Sequence, residues 1–312
     1  MVRLWYINLN KLYVVNTVLS TVLLYFKKRG GDMTKKYRVI GYPIGHTMSP
    51  FIQKELFKLT SFDGDYEKLE IAPEQLKEGY EFLKDLNGFN VTIPHKTSII
   101  PLLDRVDPSA AEYGAVNTVS NENGEYVGYN TDAYGFLKGL EFCGIPLCGK
   151  VMVYGYGGAA RTIITESVKA GCEVTIGTTE DRIASAQKVA EELSLKLSKK
   201  IFVKVADNVN ERYDLFINAS PVGMYPNKDA SPIAEQAIGF FNFVYDIVYN
   251  PTKTKLIKFA EKQNKVCGCG MSMLVCQAQK AQSIWYGASF TKKETKAVIE
   301  KAEKELKEVF GE

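Results

Sequence analysis

From residue 36 onward, short apolar runs alternate with stretches of helical periodicity. Lys36-Tyr37-Arg38-Val39-Ile40 reads as a strand that runs into a loop holding Gly41, Pro43 and Gly45. The helical run FIQKELFKL follows Ser49-Pro50, a serine and a proline placed as N-cap and first helical residue. Asn90-Val91-Thr92-Ile93 alternates like a strand, Pro94 stops it, and Lys96 is expected to open the next helix. Val151–Tyr154 is a continuous apolar run ending in glycines, the pattern of a buried parallel strand, and EVTIG (173–177) reads as the next one. Residues 292–310 have helix-forming composition and an apolar stripe at Ala297, Val298, Ala302, Leu306 and Val309, which predicts a packing helix.

The string VYGYGGAAR (153–161) places Gly155, Gly157, Gly158, Ala159 and Ala160 between that strand and a helical periodicity beginning at Arg161. Strand, glycine turn and helix N-terminus together make an anion site of free N–H groups and helix dipole. Gly155 permits the turn, Gly157 lets a pyrophosphate approach, and Ala160 keeps the helix close to the sheet. Dinucleotide binding is therefore expected. An NAD site usually carries an acid at the end of the second strand, where this chain has Gly177, Thr178 and Thr179. No carboxylate stands there to repel a 2′-phosphate, and Arg182 lies within reach, diluted by Glu180 and Asp181. The expected cofactor is NADP, with NAD left open.

Polar groups gather on irregular backbone in the first half. Thr47 and Ser49, two apart in an extended loop, project their hydroxyls to one side and could bind a carboxylate; the plainer role for Ser49 is to cap the helix. Lys96 would stand near the positive end of a helix dipole, a poor place for a cation and so a sign of use. Asn117 and Asp132 lie in glycine-flanked loops, where ordinary turn chemistry is the competing explanation. A lysine beside an aspartate forms a proton-handling pair suited to hydride transfer at a hydroxyl. His95 is a rival acid–base group, expected to point away from its neighbour Lys96.

Taken in order, YPIGHTMSP (42–50), GFNVTIPHK (88–96), GAVNTV (114–119), GYNTDAYG (128–135), the glycine loop, and VYDIVYNP (244–251) closely resemble the shikimate dehydrogenase family, over residues 37 to about 290. The resemblance implies an α/β fold of two domains: an N-terminal catalytic domain with a mixed sheet, and a Rossmann-type dinucleotide domain. It implies residues 33–133 with 271–312 for the first and 134–270 for the second. It further implies reversible NADP-dependent reduction of 3-dehydroshikimate to shikimate in aromatic amino-acid synthesis. Lys96 and Asp132 match the catalytic pair, and Thr47 and Ser49 the holders of the substrate carboxylate. Asn90, Thr92, Asn117 and Gln277 match groups that bond ring hydroxyls, with Thr131 beside the aspartate and Tyr249 near substrate and nicotinamide. Ser220, Val222 and Met224 match the stretch flanking the nicotinamide, and Gly270 belongs to the same cofactor set.

Three departures stand out. Thr47 replaces the usual serine, the family's Asn-Arg-Thr signature for the 2′-phosphate is missing beside Thr178, and Ser272 replaces a glycine expected to face the carboxamide. They define the alternative, a paralogue acting on quinate with NAD. A non-catalytic nucleotide sensor is more remote, having no reason to keep Lys96, Asp132, Asn117 and Gln277 together.

A length of 312 residues agrees with two domains. The net charge of +3 arises in residues 1–32, where five cations face Asp32; the rest of the chain carries −1, which argues against nucleic acid as a partner. Six scattered cysteines read as reduced, cytoplasmic residues, and Cys267 and Cys269, with only His46 and His95 as imidazoles, give no metal site. The apolar stretch 4–26 is long enough to span a bilayer, but Asn8, Asn10, Lys11 and Asn16 interrupt it. Translation from Met33 is the expected explanation of that segment, ahead of a membrane anchor. The expected partner is the small-molecule substrate, and the expected assembly a monomer or homodimer.

Overall fold

Two sheets carry the site. The structure, a computed structural model, describes residues 34–45 and 47–311. The alternatives for the N-terminal segment, a start at Met33 or an anchor, fall outside the described residues. Among the described residues no helix is long and apolar enough to cross a membrane.

The first sheet contains β1 (Lys35–Gly41), β2 (Gly64–Glu70), β3 (Gly88–Val91), β4 (Arg105–Val106), β5 (Thr118–Glu122) and β6 (Glu125–Tyr129), in the order β2-β1-β3-β5-β6-β4. It is mixed: β3 runs parallel to β1 and antiparallel to β5, and β4 runs parallel to β6. Asn123 and Gly124, both at positive φ, make the tight turn of the β5–β6 hairpin, as an Asn-Gly pair does between alternating strands. Helices α1 (Ser49–Thr60), α2 (Leu76–Leu83) and α3 (Pro108–Tyr113) accompany this sheet.

Helix α4 (Asp132–Cys143) leads into the second sheet. That sheet contains β7 (Lys150–Tyr154), β8 (Glu173–Thr178), β9 (Phe202–Val205), β10 (Tyr213–Asn218), β11 (Phe241–Asp246) and β12 (Val266–Cys269), in the order β12-β11-β10-β7-β8-β9. Every pairing is parallel. This is the doubly wound order, with its switch point between β7 and β10, where ligands bind beyond the strand ends. Such strands are covered on both faces, which is why Val151, Met152 and Val153 form an unbroken buried run. Helices α5 (Gly158–Lys169), α6 (Ile183–Leu197) and α7 (Lys255–Lys262) accompany the sheet, and α8 (Met271–Tyr286) and α9 (Lys292–Phe310) complete the chain. The described residues from 36 onward form one compact unit.

Three local expectations need correction. Helix α1 is capped by Met48 rather than Ser49, and the Ser49 N–H donates instead to Thr47 Oγ1 at 3.2 Å. Residues 93–99 form turns rather than a helix, so the dipole argument for Lys96 does not apply. The buried stripe of α9 is Thr295, Val298, Ile299, Ala302 and Leu306, while Ala297 and Val309 are exposed; the packing face is rotated from the one read in the sequence.

Helix α4 packs closely on α8 because Gly135 has no side chain: a Cβ there would lie 2.4 Å from Gln277 Cγ and 2.8 Å from the Met273 carbonyl oxygen. This approach delivers Gln277 to the first turn of α4. Alanine favours a helix over glycine by about 1 kcal/mol, yet Gly135→Ala is expected to lower stability by about 1–3 kcal/mol through overpacking. Urea unfolding of the variant checks this; an unchanged or raised midpoint would contradict the close contact.

Candidate active site

Asp132 is the first residue of α4, so its carboxylate sits at the positive end of a helix. Its N–H donates to Asn130 Oδ1 at 2.9 Å, which sets the turn that begins the helix. Lys96, from the turn after β3, donates from Nζ to Asp132 Oδ2 at 2.6 Å. The pair is nearly dry, with the side chains 16% and 1% exposed for Lys96 and Asp132. The other carboxylate oxygen, Oδ1, accepts from Asn117 Nδ2 at 2.8 Å and Gln277 Nε2 at 2.9 Å. A lysine ammonium has three hydrogens to donate, so the bond to Asp132 leaves two for a ligand. His95 is fully buried and its Nε2 lies 2.7 Å from the Ile71 carbonyl oxygen, away from this pair.

Behind the pair lies a saturated polar layer. Asn90 Oδ1 accepts from the Tyr66 hydroxyl at 2.6 Å and Gln53 Nε2 at 3.3 Å, while its Nδ2 donates to Thr118 Oγ1 at 2.9 Å and the Asn117 carbonyl at 3.2 Å. Asn117 Nδ2 also donates to Thr131 Oγ1 at 3.0 Å, and its Oδ1 accepts the Thr131 N–H at 2.7 Å. Both amides have their hydrogen-bonding capacity filled within the chain, so either reaches a ring hydroxyl only by exchanging one of these bonds. Thr131, expected beside the substrate, is fully buried and exposes no surface to a ligand; it braces Asn117 and Asp132 instead. Thr92, one residue past β3, is half-buried, with its methyl packed at Gly41.

Thr47 and Ser49 are joined, Thr47 Oγ1 donating to Ser49 Oγ at 3.1 Å. The Tyr249 hydroxyl is bonded to the Thr47 side chain and accepts the Met48 N–H; burial raises its pKa, and these two bonds oppose that rise. Three hydroxyls from two distant segments thus form one cluster, without a formal charge.

Beyond the strand ends of the second sheet lies a cavity of about 580 Å³. Tyr154, Gly155, Tyr156, Thr178, Thr179, Asp181 and Arg182 line one part, and residues 220–227 with Ala230 another, including Ser220, Val222 and Met224. Gly155 has φ +109°, and a Cβ there would lie 2.9 Å from the Ala219 carbonyl oxygen, so the turn requires glycine. Gly157 caps α5, whose first residues are Gly158, Ala159 and the fully buried Ala160. Nothing lies within 4 Å of where a Gly157 Cβ would stand, which leaves the helix N-terminus open to an anion. These features fit a dinucleotide. A Cβ at Gly158 would lie 4.0 Å from Lys96 Cδ, so the glycine loop borders the Lys96–Asp132 pair directly.

Arg182 lines the cavity with a largely exposed side chain, and its Nε lies 3.9 Å from Asp181. The Thr179 hydroxyl is bonded to Asp181 and holds that carboxyl below its usual range. Gly270 is not among the cavity residues; its packing is against the Ile247 carbonyl oxygen, 1.9 Å from where a Cβ would be. Ser272, expected to alter the nicotinamide fit, is buried and donates to the Cys269 carbonyl at 3.3 Å. Among the described residues no group of three or more His, Cys, Asp or Glu is placed to hold a metal ion.

Residues 39–119 match the family model described as the shikimate dehydrogenase substrate binding domain. The NADP(+) shikimate dehydrogenase of Caldanaerobacter subterraneus subsp. tengcongensis is 39% identical over 265 residues, covering 83% of this chain and 94% of that one. The chain belongs to the shikimate dehydrogenase family. A family member solved in complex with NADP+ superposes with a TM-score of 0.77 at 34% identity, covering 86% of this chain and 95% of its own. The Thermus thermophilus enzyme, solved with NADP(H) and shikimate, gives a TM-score of 0.76 at 29% identity, with coverage of 86% and 99%.

Sequence reading missed Tyr154, Tyr156 and Tyr225 as cavity residues, and Asn218, Asp246 and Thr254 beneath its wall. The available signal lay beside Tyr249 and Ser220, where Asp246 stands within VYDIVYNP and Asn218 two residues before Ser220. Asn117→Ala is expected to strand the buried Thr131 N–H and remove one donor from Asp132. A cost of about 1–3 kcal/mol in stability should follow, with turnover reduced in the folded variant. Denaturant midpoints and initial rates measured together check this.

Proposed function

We propose that the protein is an NADP-dependent shikimate dehydrogenase, interconverting 3-dehydroshikimate and shikimate, with Lys96 and Asp132 as its catalytic pair. The observation that carries this reading is the dry Lys96–Asp132 ion pair bordering the glycine loop of a dinucleotide cavity. Residues 33–133 with 271–312 serve the substrate and residues 134–270 the cofactor. The dinucleotide, when bound, supplies or accepts the hydride.

The chain's own groups do the rest. Lys96 Nζ exchanges a proton with the oxygen at the reacting carbon, and Asp132 orients the ammonium toward it. Gln277, fixed by its amide on Asp132, offers Oε1 to a neighbouring ring hydroxyl. Thr47, Ser49 and Tyr249 hold the carboxylate with hydroxyl donors, and Thr92 adds another toward the ring. Thr178, Thr179 and Arg182 form the ribose-phosphate end of the cavity, and Ser220, Val222 and Met224 the wall beside the nicotinamide. Asp181 weakens the positive field at that end, so preference for NADP rests on Arg182 and the threonine hydroxyls together.

The test is initial-rate absorbance of reduced cofactor, with shikimate or quinate against NADP or NAD. Shikimate with NADP is expected to be the best pair; a faster rate with quinate would overturn the substrate assignment. Lys96→Ala is expected to lower turnover by about 10²–10⁴ while leaving NADP affinity nearly unchanged. Asp132→Asn should lower turnover sharply with the fold retained, as read by circular dichroism. Wild-type rates in either variant would exclude the pair.

A further inference from the structure

Asp246, the last residue of β11, has no exposed surface and belongs neither to the Lys96–Asp132 pair nor to the Thr47–Ser49–Tyr249 cluster. Its Oδ1 accepts from Asn218 Nδ2 at 2.9 Å and from the Val248 N–H at 3.0 Å; its Oδ2 accepts from Thr254 Oγ1 at 2.7 Å. Each donor leads to a different part of the molecule. Asn218, the register partner of Asp246 on β10, accepts at Oδ1 from the Ser220 N–H at 3.1 Å and the Ser220 hydroxyl at 2.7 Å. Its Nδ2 also donates to the Val222 carbonyl at 3.0 Å, and the Val222 N–H donates back to Ser220 Oγ at 3.2 Å. Val248 precedes Tyr249, whose hydroxyl meets Thr47 and Met48. Thr254 caps α7 by accepting the Ile257 N–H.

We propose that Asp246 is a positioning residue that ties the cavity wall at Ser220–Val222 to Tyr249 at the carboxylate-binding cluster, so that cofactor and substrate contacts are set by one buried carboxylate. The inference rests on the dehydrogenase reading above.

Three groups donate to this acid, which suits an ionised carboxylate: the Asn218 amide N–H and the Val248 N–H can only donate, and only the Thr254 hydroxyl could turn to accept from a protonated acid. Burial opposes ionisation and pushes Asp246 up to about 7, with Thr254, Val248 and Asn218 pulling the other way. The groups facing it are Asn218 from β10, Thr254 from α7 and Cys269, its register partner on β12. Burial pushes the Cys269 thiol up to about 12, so it stays neutral across the working range. Lys255, next to Thr254, reaches the Asp229 carbonyl instead. As pH falls through about 7, Asp246 takes up a proton, the Thr254 bond must reverse, the bonds from Asn218 and Val248 lose their charged acceptor, and both ligand sites loosen. Stability runs the other way. The unfolded chain releases this proton near pH 4 and the folded one only near 7, so the group's contribution declines as pH rises across that window and is constant above it.

The test compares wild type, Asp246→Asn and Thr254→Val by calorimetric titration with NADP and by shikimate KM, between about pH 6 and 9. At the alkaline end Asp246→Asn is expected to raise the NADP Kd and the shikimate KM together, each by about tenfold, the scale of one lost bond to a charged group. Turnover should fall less than either, and the wild-type step in NADP Kd near neutral pH should vanish. Unchanged constants, or a variant that keeps the step, would overturn the proposal. Should Asp246→Asn not fold, Thr254→Val removes a single donor and is expected to raise both constants by a smaller factor; no change in either would refute the coupling. Wild type that binds NADP without oxidising shikimate would refute the reaction instead, and the calorimetric comparison would still decide the role of Asp246.

Discussion

The site depends on keeping a carboxylate ionised out of water. Asp132 is almost wholly buried, and an isolated charge there would cost several kcal/mol in lost hydration. Three arrangements offset that cost: the Lys96 ammonium on one oxygen, two side-chain amides on the other, and the N-terminus of α4 beneath. Removing one partner of a buried pair destabilises by about 3–5 kcal/mol when nothing else supports the remaining charge. Here Asn117 and Gln277 keep part of that support when the lysine is lost. The same arrangement fixes the lysine: its remaining two hydrogens are available, in a place where water competes poorly.

Around this pair the two sheets contribute different things. The mixed sheet supplies rigid strand ends at Val91, Thr118 and Tyr129, and the saturated layer of Asn90, Asn117 and Thr131 locks them together. The parallel sheet supplies the empty volume at its switch point. Tyr249 crosses from one to the other through Thr47, and Gly158 brings the glycine turn against Lys96. The glycine turn and the Lys96–Asp132 pair therefore lie only a few ångströms apart.

What could be read from the sequence was whatever short-range chemistry determines. Gly155-x-Gly157-x-x-Ala160 after an apolar run specified strand, turn and helix, and all three are present. The order of the polar strings pointed to Lys96 and Asp132, which do lie in contact. Readings that depended on tertiary partners failed. Ser49 looked like a cap because Pro50 follows it, but the helix starts one residue earlier, with Met48 at the N-cap, and the Thr47 hydroxyl accepts the Ser49 N–H. Lys96 looked misplaced on a helix that does not form. Nothing local shows that Tyr66 engages Asn90 or that the Asn117 amide engages Thr131, whereas Ser272 is held by the Cys269 carbonyl one turn before it. Asp246 stands in the string VYDIVYNP, yet its partners are Asn218 and Thr254, and only the register of β10 on β11 brings the first of these to it.

Gln277 approaches Asp132 from a position 145 residues further along the chain, on a helix that docks only because Gly135 leaves room for it. A polypeptide emerging from the ribosome can complete the mixed sheet and the lysine–aspartate contact long before that helix exists. The fourth support of the carboxylate arrives only when nearly nine-tenths of the chain has been made. Products terminated before residue 277, however well their first sheet folds, lack that support for Asp132.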